Sequence, residues 1–382
     1  MMLGLRSVAK GQGGVEAHVD QLTQEFDRAG LTVEIVVRTP YSGKARTERG
    51  LATRIVPIWS PVRQSLEAFI HSALGVWYAA RARPRILHIH AVGPSLVAPL
   101  ARLAGLAVVT THHGEDYNRE KWGPIARTML RLGEWSAARF SNARIVVSSS
   151  LALQLGSKYG VEFHYVPNGV RLPTPVGTRF SLEEWGLDPG RYLLSVGRIV
   201  PEKRQLDLIK AFADLAVPDA KLVIAGAADH ASEYSREVSR MAAETPGVIM
   251  VGFVTGQPLA ELYSNAGLFV LPSSHEGLPI ALLEAMAYGN RVLASDIDAN
   301  LNVGLPAECH FPLGDLAALT EALHEWLAKC EPGARADWSQ LLAGYDWTDI
   351  AQRTLAIYRS AAELNAMPLP GPRHSRPVTG RE

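Results

Sequence analysis

From the first residues to about Tyr358, short apolar runs alternate with stretches whose apolar residues recur every three or four positions. Short runs read as buried strands and periodic stretches as amphipathic helices. Their alternation is the sequence signal of parallel sheets built from βαβ units. MMLGL opens the chain as a strand, and Val15, Val19, Leu22 and Phe26 predict a helix over 15–29, closed by Gly30. TVEIVVR, RILHIHA, AVVTTHH and ARIVVSS follow as strands, the last three ending in the polar residues with which parallel sheets meet ligands. The same logic restarts with RYLLSVGRI, KLVIAG, GVIMVGF, GLFVLPS and RVLASD, interleaved with helices over 205–215, 232–244, 259–266 and 280–288. Between the two series VPNGVRLPTPVGTRF is rich in Pro and Gly and lacks periodicity, which predicts a hinge near 168–175.

Two α/β domains follow, 1–168 and 169–345, with a cleft between them as the expected ligand site. A helix over 346–364 comes next, and the proline-rich stretch 365–382 has too little to bury to fold. At 382 residues the chain is long for one core, which fits two domains. Apolar residues make up 47% of it, yet no uninterrupted run approaches the roughly 18 that a spanning helix needs. MMLGLRSVAKGQGG lacks the pattern of a secretory signal and reads as a first strand, so a cytoplasmic location is expected. Cys309 and Cys330 are too few for a disulfide framework or a cysteine metal site. Formal charge is zero, but residues 1–170 hold 20 Lys and Arg against 12 Asp and Glu, and the remainder 18 against 26. A basic first half suits a diphosphate-bearing acceptor or the anionic inner face of a membrane, or is simply a solvated surface. No nucleic-acid partner is expected.

The densest chemistry lies in HEGLPIALLEAMAYG, where Glu276 and Glu284 stand eight positions apart across a loop-to-helix junction. Pro279 sets φ for a helix start, which places Glu276 in the loop and Glu284 on the helix. Backbone N–H groups around Gly277, Leu278, Pro279 (which itself has none) and Ile280 then face outward with partial positive charge, a fit for a diphosphate. Arg198 and Lys203, five apart after the strand RYLLSVG, can converge on one pyrophosphate. The bland alternatives are a buried glutamate pair and two solvated cations.

These segments together resemble the retaining glycosyltransferases of family 4. HEGLPIALLE is similar to that family's E-x7-E motif, SVGRIVPEKRQLDLIKAF to its Arg- and Lys-bearing strand-loop-helix, VPNGV to its interdomain segment and QGGVEAHV to its glycine-rich loop. The resemblance implies the GT-B fold, two Rossmann-like domains facing across a cleft, acceptor-side first and donor-side second, with the last helix packed back across both. It implies a nucleotide sugar, UDP- or GDP-linked, as donor, and a glycan or lipid-linked sugar in polysaccharide assembly as acceptor. Neither cofactor nor metal is implied. Arg198 and Lys203 would stabilise the departing diphosphate, Glu284 would take the ribose hydroxyls, and Glu276 would support the donor hexose. Gly13 and Gly14 would reach the donor from the opposite domain, though an ordinary turn looks the same. His113, in T-x-H-G, would stand near the transferred sugar, with His112 the lesser candidate. Base contacts are expected around Gly252 and Phe253.

Other features stay open on sequence. Glu115, Asp116, Tyr117, Arg119, Lys121 and Trp122 resemble an acceptor-recognition stretch, or form a loop of charge pairs. His88 and His90 read as satisfied residues at a strand end. Asp296 and Asp298 spell D-x-D but trail a late strand, so no metal is assigned. Leu66, Phe69, Ile70, Leu74 and Trp77 form a helical stripe that is either core or a membrane-surface face. Rival functions are a nucleotide-sugar 2-epimerase of similar fold and a non-catalytic nucleotide-sugar-binding protein.

Overall fold

The computed structural model describes residues 1–7, 14–41, 53–61, 67–114, 123–173, 176, 180–215, 217, 219–228, 231–328 and 334–366. Gly13, the 115–122 stretch, Leu66, Cys330 and the tail beyond 366 lie outside them. Among the described residues the first domain is a sheet of β1 (Met2–Leu5), β2 (Val33–Arg38), β3 (Thr53–Ile58), β4 (Leu87–His90), β5 (Val108–His112), β6 (Ala143–Val146) and β7 (His164–Tyr165). Every pair is parallel, in the order β3-β2-β1-β4-β5-β6-β7. The second sheet holds β8 (Tyr192–Val196), β9 (Lys221–Ala225), β10 (Val248–Gly252), β11 (Leu268–Leu271), β12 (Arg291–Ser295) and β13 (His310–Phe311), ordered β10-β9-β8-β11-β12-β13 and again parallel.

This is the GT-B architecture, two Rossmann-like units. In each sheet the order reverses between the first and fourth strands, so the loops leaving those strands splay apart and open a crevice at their C-terminal ends. The loops after β8 and β11 carry the Arg198–Lys203 and Glu276–Pro279 segments. β3, β7 and β13 were not legible in the periodicity. β3 contains Pro57 and lies at the sheet edge, where a missing N–H is tolerated. The other two have only two residues each.

Helix Glu67–Ala82 turns Phe69 and Trp77 of the expected stripe outward and leaves Ile70 and Leu74 half-buried. Its inward face is His71, Ser72, Gly75, Val76 and Ala79. Small residues are needed there because a Cβ on Gly75 would sit 2.4 Å from Leu3 Cδ1.

The last helix, Trp347–Ala366, runs two residues further than expected, with Asn365 donating to Gly105 O at 3.2 Å. It joins the first domain rather than lying evenly across both. Trp347, Ile350, Ala351 and Ala361 are buried with Leu22, Phe26 and Val109 of that domain. Val170 N–H donates to Tyr345 O at 2.9 Å and Val170 bridges Asp346, so both crossings between domains run side by side. No helix among the described residues is long and apolar enough to cross a membrane.

Candidate active site

The loops after β8 and β11 are tied to each other before any side chain is considered. Ser274 N–H donates to Glu202 O at 2.8 Å, and Ser295 Oγ on β12 holds Ser273 O at 2.5 Å. Across this frame Lys203 Nζ donates to Glu276 Oε1 at 2.5 Å, with side chains 19% and 11% exposed. Burial pushes the Glu276 carboxyl up, but the charge and hydrogen bond of Lys203 outweigh it and hold it below the usual carboxylate range. Arg198 is held through its carbonyl, which accepts from Gln205 Nε2 at 2.8 Å.

Pro279 is the N-cap, with Leu282 and Leu283 N–H donating to its carbonyl, and the helix is Ile280–Ala287. The amides of Ile280 and Ala281 therefore precede the helix's own ladder, where helix ends bind anions. Glu284, one turn on, accepts from Tyr263 Oη at 3.0 Å, and burial raises its carboxyl. Gly252 and Phe253 lie at the end of β10, two strands from β8 and so about 10 Å along the same edge. Gly226 N–H donating to Gly252 O at 2.7 Å links them toward the centre.

From the first domain, Gly14 opens helix Gly14–Arg28, and a Cβ there would lie 3.7 Å from Ile280 Cδ1. The turn after β5 comes closer still. A Cβ on Gly277 would fall 1.9 Å from His113 O, and one on Gly114 (φ +124°) 2.8 Å from Gly277 Cα. Two glycines thus let backbone meet backbone across the cleft. We expect Gly277→Ala to oppose this closed arrangement by about 1–3 kcal/mol or more, read as a larger radius of gyration in small-angle scattering. An unchanged radius would mean that the cleft closes differently.

What holds that turn was missed on sequence. Gly114 N–H donates to His112 Nδ1 at 3.3 Å, so the His112 proton is on Nε2, aimed at Glu134 Oε2 3.2 Å away. Glu134 is wholly buried and also receives Lys158 at 2.7 Å and Tyr159 at 2.6 Å. Burial pushes its carboxyl up, but these hydrogen bonds prevail and bring it down to about 2. The signal was an acid on the small-residue face of LGEWSAA.

The His113 ring bonds His90, with Nε2 3.1 Å from His90 Nδ1. His90 Nε2 is buried without a partner among the described residues, so the shared proton belongs on His90 Nδ1; the reverse would bury an unpaired N–H. That leaves Nδ1–H as the donor of His113. The His88 ring lies 4.0 Å from that of His90, tilted to it, and is bracketed at 2.6 Å by Tyr358 Oη and by Thr111 Oγ1, while His18 meets the His113 ring edge-on at 5.1 Å. Burial drives all four imidazoles toward the neutral form, His18 down to about 4. His88 is a satisfied strand-end residue, as expected, whereas His90 belongs to the site's wall. Asp296 accepts Leu313 N–H at 2.8 Å and Asp298 starts a short helix.

Known proteins share this plan. The model of the glycosyl transferases group 1 matches residues 180–340, and that of glycosyltransferase family 4 matches 12–172. The alpha-maltose-1-phosphate synthase of Mycobacterium tuberculosis is 33% identical over 253 residues, 59% of this chain and 65% of that one, just under two thirds of its length. Its Mycolicibacterium smegmatis counterpart is 30% identical over 309 residues, covering 72% and 79%. The crystal structure of Anabaena HepE with UDP and glucose superposes with a TM-score of 0.76 at 18% identity, over 94% of this chain and 99% of that one, a likeness of fold.

Proposed function

The chain belongs to the glycosyltransferases of group 1 and family 4, and from that premise we propose a retaining hexosyl transfer from a nucleotide diphosphate sugar. The donor is UDP- or GDP-linked, and the acceptor is a hydroxyl of a glycan or lipid-linked sugar in cell-surface polysaccharide assembly on the cytoplasmic side. The carrying observation is the juxtaposition of Lys203–Glu276 and the Ile280 helix start with the His113–Gly114 turn of the other domain.

The diphosphate lies between Arg198, Lys203 and the amides that open the helix, where fixed positive charge meets the charge that grows as it leaves. The bond from the anomeric carbon to phosphate breaks, and the departing oxygen keeps the electron pair. The acceptor oxygen bonds to the same face of that carbon and gives its proton to the departing phosphate. Glu276 orients the hexose by accepting from its hydroxyls, and His113 offers a neutral donor fixed by His90. The nucleoside runs toward Gly252 and Phe253, with its ribose on Glu284.

Glu284→Ala tests the donor site. Losing a charged hydrogen-bond acceptor costs about 1.5–3 kcal/mol, or roughly 10–100-fold in donor affinity. In a thermal-shift panel of UDP, GDP, ADP and their sugar conjugates, one nucleotide family raises the wild-type midpoint, and the rise shrinks in the variant. Equal shifts in both proteins would sink the assignment. Conversion of a bound sugar nucleotide without acceptor would point to an epimerase instead.

A further inference from the structure

Helix Pro124–Phe140 turns Gly133, Ser136, Ala137 and Ala138 inward and presents Ile125 (79% exposed), Leu132 (51%) and Trp135 (48%) to solvent. Arg127, Arg131 and Arg139 are exposed on the same helix. Its single acid, Glu134, is buried and neutralised by Lys158. At helical spacing Ile125, Leu132, Trp135 and Arg139 share a sector of about 80°, with Arg131 on its flank and Arg127 further round, in line with Glu134 and Ala138. An outward face of tryptophan, aliphatics and arginines without an exposed carboxylate is the pattern of a helix lying in a lipid interface.

The neighbouring elements extend it. Helix Ala98–Leu103 packs beside this one and exposes Leu100 and Leu103, the latter by 86%. Beyond it, Glu67–Ala82 exposes Phe69 and Trp77, with the Arg81 guanidinium 3.5 Å over the Trp77 ring.

We propose that this helical face, centred on Ile125, Leu132 and Trp135, docks the protein onto an anionic lipid surface. Charge decides among occupants. A second copy on the same face would oppose the arginines of one protomer to those of the other, whereas anionic headgroups complement them, as they do the 20 to 12 cationic excess of residues 1–170. The placement also has a use. The helix begins ten residues after Gly114, at the C-terminal edge of the sheet, so its Ile125 end lies on the cleft side of the domain. Docking there brings the cleft near the headgroups, within reach of a lipid-borne acceptor. The docking itself does not depend on which donor or acceptor is used.

The test is co-sedimentation of the full chain with phosphatidylcholine vesicles, with and without phosphatidylglycerol. Binding is expected only with the anionic lipid, and it weakens as salt rises. Arg131→Gln with Arg139→Gln lowers the partition roughly 30-fold, and Leu132→Ser with Trp135→Ser also lowers it. Lys210→Gln, an exposed cation of the second domain, leaves it unchanged. Nucleotide-induced thermal shifts stay as in wild type throughout, which separates loss of docking from loss of the donor site. Wild-type binding to neither vesicle, or equal binding by all variants, overturns the proposal. So does a dimer in sedimentation velocity that the same substitutions abolish without any vesicle binding, which would give the face to a second copy.

Discussion

Lys203→Ala is expected to lower the rate of transfer by about 10²–10³-fold, the size of effect seen when one preorganised donor to a developing anion is removed. The ammonium is already fixed, 2.5 Å from Glu276 and with its stem against Gly197, where a Cβ would lie 3.4 Å from Lys203 Cε. No reorganisation is then needed as the diphosphate departs. The same substitution leaves the Glu276 side chain, 11% exposed, without its cation. A stranded buried charge costs about 3–5 kcal/mol, so the variant also melts earlier. Adding Glu276→Gln separates the two effects. The double variant regains thermal stability, and single-turnover kinetics still show the slow transfer. Recovery of the rate along with the stability would make the lysine a structural partner of Glu276 and nothing more.

The second large effect is acid lability. His18, His71, His88 and His90 are buried and pushed below their ordinary range, His18 and His71 to about 4. The unfolded chain takes up their protons at about pH 6.5, and the folded chain does not. Below that pH the unfolded state therefore binds more protons, and stability falls as pH falls. Each such histidine contributes a slope of about 1.4 kcal/mol per pH unit down to its folded pKa. Four together reach about 5 kcal/mol per unit, comparable with the whole stability of a domain. Cooperative unfolding is expected between roughly pH 6 and 5 in urea titrations followed by circular dichroism. Glu134 acts later, since its depressed carboxyl withdraws stability only as pH drops from about 4.5 to 2. His90→Asn reduces the slope by about one proton. A flat profile from pH 7 to 5 would mean that the stack accepts protons without opening.

Much of this molecule is legible in its sequence because regular burial leaves a regular trace. The strands that fill the sheet centres are continuous apolar runs, and Val19, Leu22 and Phe26 announce their helix by spacing alone. Glu276, Glu284, Arg198 and Lys203 could be placed because each follows a strand at a crossover, where topology fixes location. The unreadable parts depend on contacts between residues far apart in the chain. Nothing local tells that His112 is braced by Glu134, or that His88 meets Tyr358 270 positions later. Short edge strands fail for another reason, since two residues cannot display a period. The stripe on Glu67–Ala82 misleads because an apolar face need not be the inward one. There, close approach to β1 selects small residues instead.

The last helix has a consequence for biosynthesis. Trp347, Ile350 and Ala351 lie among the core side chains of the first domain, and Trp347 packs against Gly169 so tightly that a Cβ there would come within 2.6 Å of its ring. A ribosome delivers residues 1–170 before the second domain and these contacts only after it. Until then the nascent first domain carries an open apolar trough along Leu22, Phe26 and Val109, while the second domain, contiguous in sequence, can complete its own sheet. The first of the two domains to be made is the second to be finished, and a chain cut short before Trp347 would expose that trough to chaperones and proteases.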